Sequence, residues 1–404
     1  MEARNLFVGD DGHLRSGWRA AFFLAVFLVV GFVFQGAAAI LTWMTSGMRT
    51  GIWASTWPYL IGSLVLLSAA TLVGLGCTAA FEGLPFRALG WSPHRGWLRN
   101  VALGSLIGAA SLLLAAGITA ATRGIRFSFN PSPVTTIGKT AVVALIVFVI
   151  AGAAEEALFR GYPLQTFTRA KLAWVGVLVT SVPFAVVHLY NPNVSRGFTF
   201  VNTVFAGVWL AVAYLRTRSL WFPLGLHWSW NWTQAALLGI PVSGIDRIAP
   251  APLLHAMNAG PDWLTGGAYG IEGGAACTAA LIFSTIVVWR TKLVSTAGDP
   301  SRAVTPADKN LERDARVNDP SGKRDPIMNR EAMLENPVFP IFVKFEDGEV
   351  EAYESVKSLE TDLEIFDSDD AEGCEVTDSL GRAVRLRVND CLALEELSLV
   401  RNRK

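Results

Sequence analysis

Glu155, Glu156 and Arg160 close the apolar run 141–154, where a bilayer interior makes charge costly and an ionisable side chain needs a partner or a task. On a helix, Glu156 and Arg160 lie four apart on one face in the favourable acid-first order. Glu155, turned by about 100°, aims elsewhere. One carboxylate is therefore spoken for by the arginine and one is free. Two further constellations sit in later apolar segments. His188 ends the run that passes through Pro183 and Phe184, just before the turn signal Asn191-Pro192-Asn193. His227 and Asn231, again four apart, share a helix face among Trp228, Trp230 and Trp232. A free carboxylate and two imidazoles are what amide hydrolysis needs: a base to activate water, and donors to hold the developing oxyanion. Ser181 and Ser229 lie in no nucleophile motif, so water is the expected nucleophile.

The elements that must position these groups are membrane helices. The 404 residues are 51% hydrophobic with 14 Trp, and only six acids fall between residues 20 and 290, against 25 from residue 291 on. With ~20 residues needed to cross the hydrocarbon core, spanning runs are expected near 17–44, 54–80, 97–121, 138–160, 172–190, 198–215, 219–240 and 269–290. The fold class is thus an all-α polytopic membrane protein of about eight helices, and the first three read as scaffold. The first run is far longer than a signal-peptide core. Twelve Lys and Arg flank one side of these runs and six the other, which puts both termini in the cytoplasm. Gly161-Tyr162-Pro163 should end or kink the central helix. Counting from helix starts at ~1.5 Å per residue puts His188 late in its span and His227 early in its own, at unequal depths.

Beyond the membrane part (1–293), residues 294–336 have a linker's composition, polar and poor in large apolar residues. Residues 337–404 are expected to form a small acidic soluble α+β domain. Two β-rich runs flank Asp347-Gly348 as a hairpin, a helix is expected over 354–364, and another strand over 383–388. From residue 291 on, 25 acids face 16 Lys and Arg, which argues against binding nucleic acid or anionic lipid on charge grounds. The tail reads as a docking module for a cytoplasmic partner. Cys77 and Cys277 fall in spans, Cys374 and Cys391 in the tail, and no CxxC pair occurs.

Glu155-Glu156 to Arg160, Phe184 to His188, and His227 to Asn231 follow, in order, the Glu-Glu-x-x-x-Arg, Phe-x-x-x-His and His-x-x-x-Asn motifs. The chain in this respect resembles the type II CAAX prenyl endopeptidases, the CAAX protease and bacteriocin-processing family. Over residues 17–292 the resemblance implies an eight-helix fold and an intramembrane endopeptidase of the plasma membrane acting on a membrane-associated peptide or protein, prenylated CAAX-type substrates included. It implies that Glu155 and His188 activate water, that His227 and Asn231 bind the oxyanion, and that Glu156 and Arg160 support the site. The family has been described both as metal-dependent and as glutamate-dependent. A His-Glu-x-x-His helix is absent, yet Glu155, His188 and His227 could make a three-ligand set for a divalent metal such as zinc.

Two other classes compete. A non-catalytic scaffold would hold a peptide or lipid in the same polar cavity. A transporter would relay protons through Glu155 and Glu156, but no inverted repeat is visible.

Overall fold

The computed structural model describes residues 7–8, 14–45, 52–94, 96–194, 197–296, 340–344, 350–353, 375–379, 384–388 and 394–399. The chain divides into two units, Met1–Thr305 and Pro306–Lys404.

The first unit is helical: α1 (Ser16–Met44), α2 (Ile52–Glu82), α3 (Trp97–Ala121), α4 (Val134–Phe159), α5 (Tyr162–Arg169), α6 (Ala173–His188), α7 (Phe198–Thr217), α8 (Trp221–Trp232), the one-turn α9 (Asp262–Thr265) and α10 (Ala275–Arg290). Each of the eight apolar runs contains an α-helix. Five stretches are long and apolar enough to cross a membrane, α4 and α5 together forming one of them, and α6 and α10 are shorter apolar helices. Large apolar side chains on α1 such as Phe32 and Trp43 face outward, as in a helix solvated by lipid. This is a polytopic integral membrane protein. The strands β1 (Ile125–Phe129) and β2 (Leu254–Asn258) pair antiparallel between α3 and α4 on one side and α8 and α9 on the other.

Two spans differ from the sequence expectation. The last helix starts at Ala275 rather than near residue 269, because Gly270 adopts a left-handed φ of 99° and two short 3-10 turns occupy 267–273. The run 219–240 is the α-helix α8 followed by a π turn over Thr233–Leu237, which begins two residues after Asn231. The expected break after Arg160 is present: α4 ends at Phe159 and α5 begins at Tyr162, with Pro163 in its first turn.

Helix α8 is seated by glycine. A Cβ on Gly104 would lie 2.4 Å from the Phe222 carbonyl oxygen, and a Cβ on Gly225 only 3.1 Å from the Gly104 Cα. Backbone therefore meets backbone where α3 crosses α8, the small-residue packing that membrane helices use in place of a hydrophobic driving force. At the other face Glu82 ties three helices together. Its carboxylate accepts from Thr166 Oγ1 at 2.6 Å and pairs with Arg19 at 3.3 Å and Arg169 at 2.5 Å.

In the second unit β3 (Ile341–Lys344) pairs antiparallel with β4 (Val350–Tyr353), the hairpin expected around Asp347-Gly348, and with β5 (Glu375–Thr377). The strand expected over 383–388 is β6 (Val384–Val388), paired with β7 (Leu394–Leu399). The helix expected over 354–364 lies outside the described residues.

Candidate active site

Glu155 and Glu156 occupy the last turn of α4, and their adjacency sends them to different surroundings, as the 100° step requires. Glu156 is fully buried. One of its oxygens accepts from Arg160 Nη1 at 3.3 Å and, at 2.8 Å, from Nδ1 of His227. Arg160, also fully buried, donates from Nη2 to the Gly207 carbonyl at 3.0 Å and stands 4.5 Å over the ring of Phe184. The buried pair thus holds one another and, through Glu156, the catalytic-motif imidazole.

Glu155 is half-buried and lines a cavity of about 370 Å³ together with His188, His227 and Asn231. Its Oε2 stands 3.6 Å from His227 Nε2, beyond hydrogen-bond length, and accepts no hydrogen bond among the described residues. His188 donates from Nδ1 to the Phe184 carbonyl at 2.7 Å, which leaves Nε2 of the neutral ring as an acceptor. His227, with Nδ1 on a carboxylate, offers Nε2 as an acceptor when neutral and as a donor when its ring carries both protons. The amide of Asn231 makes no hydrogen bond among the described residues, so its N–H groups remain available to a ligand.

Phe184 joins the two histidines. Its ring centroid is 4.6 Å from that of His188 and 6.3 Å from that of His227. The unequal depths counted from the helix starts therefore do not separate the rings.

The set Glu155, His188 and His227 does not fit a metal. No group of three His, Cys, Asp or Glu among the described residues is arranged to hold one, and the contacts pair Glu155 with His227 but not with His188. The metalloprotease reading has no support in this arrangement.

Other lining residues were given no part in the site by the sequence, where Glu272 reads as an interfacial acid or a helix-entry charge. Tyr59 and Ser63 bring α2 to the cavity, so that helix is more than scaffold, and Ser243 arrives from the loop after α8. Glu272 enters beside them, held by Trp230 Nε1 at 3.2 Å and by the Ser243 N–H and hydroxyl at 2.6 and 2.8 Å. Its charge within an acid-poor stretch was the one available signal.

Residues 137–233 match the family model of type II CAAX prenyl endopeptidase Rce1-like proteins, a stretch that contains all three motifs and both histidines of the cavity. Over these residues the chain is similar to the CAAX protease family. An uncharacterized 24.3 kDa protein of Escherichia coli is 29% identical over 156 residues, which is 37% of this chain and 67% of that relative. That similarity points to a protease, a hydrolase. The match leaves α1 to α3, α10 and the second unit outside it.

Proposed function

We propose that this protein is an intramembrane endopeptidase that hydrolyses a peptide bond of a membrane-associated substrate, prenylated CAAX-type C-termini among the candidates, by water activated on a carboxylate. Glu155, assisted by His188 from the wall of the same cavity, takes a proton from water as the water oxygen attacks the scissile carbonyl carbon. The tetrahedral oxyanion accepts hydrogen bonds from His227 in its doubly protonated form and from Asn231. The C–N bond then breaks, and the proton on Glu155 passes to the leaving nitrogen. Glu156 and Arg160 touch no reacting atom; they orient His227. The observation that carries this reading is the free Glu155 oxygen 3.6 Å from His227 Nε2 in a cavity shared with Asn231.

The same reading places eight helices in a bacterial plasma membrane with both termini cytoplasmic, and makes 1–293 the protease domain, 294–336 a linker and 337–404 a docking module for a cytoplasmic partner. The test is cleavage of a quenched peptide library, prenylated and unprenylated, by the full chain beside Glu155→Gln and His227→Ala. Loss of cleavage in both folded variants supports the protease. Peptide binding without cleavage in the parent, unchanged by either substitution, would make the protein a scaffold instead.

A further inference from the structure

The cavity that carries Glu155 holds a second carboxylate with no part in the chemistry above. Glu272 sits in the 3-10 turn Ile271–Gly273, between Gly270 and the start of α10. That turn is stapled: Asn202, buried on α7, donates from Nδ2 to the carbonyls of Glu272 and Gly274, both at 2.9 Å, and Thr278 donates to the Asn202 side-chain oxygen at 2.6 Å. The Glu272 carboxylate receives three donors, from Trp230 and from the Ser243 backbone and hydroxyl. An ionised carboxylate accepts about four. No Lys or Arg lies within ion-pair distance of it among the described residues, and the cavity wall contains none. A rigid, half-buried anion with spare acceptor capacity therefore faces a cavity that supplies no cation.

Its place relative to the proposed reaction follows from α8. Trp230, which holds Glu272, is three residues beyond His227, or about 4.5 Å along the helix. An extended peptide advances about 3.3 Å per residue. Glu272, Glu155, His227 and Asn231 line one cavity, so a substrate side chain within about two residues of the bond cut shares that cavity with Glu272.

We infer that Glu272 is a specificity-determining residue that selects a substrate with a cationic side chain, lysine or arginine, close to the scissile bond, and disfavours acidic groups at that position. The inference rests on the endopeptidase reading for the word substrate, but its charge preference is readable in binding alone. The competing account makes Glu272 only a brace for the Ser243 loop, and the two accounts diverge in one measurement.

The experiment uses the purified full chain and matched peptide sets that differ by Lys, norleucine or Glu at each position within two residues of the cut. Cleavage is followed in the parent, in Glu272→Gln and in Ser243→Ala, and binding of the same peptides is followed in Glu155→Gln. The parent is expected to favour Lys over norleucine by ~10-fold or more, the scale of a charge-assisted hydrogen bond, with Glu poorest. Glu272→Gln flattens that order, whereas Ser243→Ala, which removes a donor but no charge, keeps it. Cleavage by the parent with no Lys preference, or a preference that survives Glu272→Gln, overturns the inference and leaves the protease standing. Lys-selective binding without cleavage of any peptide does the reverse. The ladder read in the parent does not depend on any variant folding.

Discussion

Replacing Glu156 with Gln should cost far more stability than the same change at Glu155, although the two residues are adjacent. Arg160 is fully buried with one charged partner, Glu156, at 3.3 Å. Removing one member of a buried pair leaves an uncompensated charge, at roughly 3–5 kcal/mol. The amide of Gln still accepts from Arg160, and the Phe184 ring 4.5 Å away retains a cation–π attraction of up to about 2 kcal/mol, so the lower end, ~3 kcal/mol, is expected. At about 2–4 °C per kcal/mol for a unit of a few hundred residues, Glu156→Gln should melt roughly 6–12 °C below the parent in detergent. Among the described residues the Glu155 carboxylate forms no ion pair with Lys or Arg, and its charged contact is the loose 3.6 Å approach to His227. Glu155→Gln should therefore cost less than about 1 kcal/mol, the scale of weak ion pairs, or under about 4 °C. The double variant Glu156→Gln, Arg160→Met should recover much of the loss, since no buried charge remains. Equal melting of Glu155→Gln and Glu156→Gln would refute the division of labour between the two carboxylates.

Gly104→Ala puts a methyl 2.4 Å from the Phe222 carbonyl, so α8 must move by about 1 Å; a shift of that size at His227 should lower cleavage ~100-fold while the chain remains inserted, and unchanged turnover would contradict the close α3–α8 seat. Chelator should leave cleavage unchanged, because the described His, Cys, Asp and Glu offer no three-ligand group, and restoration of a chelator-inhibited enzyme by zinc would reverse that conclusion. Removing residues 294–404 should leave a folded, membrane-inserted core, as judged by melting in detergent; aggregation of the truncated chain would show that the tail is part of the core.

Much of the candidate site's local geometry is legible in the sequence, because its motifs are local. Glu156 and Arg160, and His227 and Asn231, are helix neighbours four apart, and α-helical geometry alone puts each pair on one face. The kink at Gly161-Tyr162-Pro163 and the turn after His188 likewise follow from backbone preferences of a few residues. The late start of α10 was less legible, since an apolar run shows no helix end where glycines unwind it. Contacts between helices were not legible at all. That Glu156 grips Nδ1 of His227, that Phe184 bridges two histidines counted to different depths, and that Tyr59, Ser243 and Glu272 share the cavity are decided by how α2, α4, α6 and α8 pack. Periodicity sets the face a residue occupies on its own helix. Its partner is set by helix offset and by the closeness that Gly104 and Gly225 permit between α3 and α8, quantities that exist only once the backbones meet.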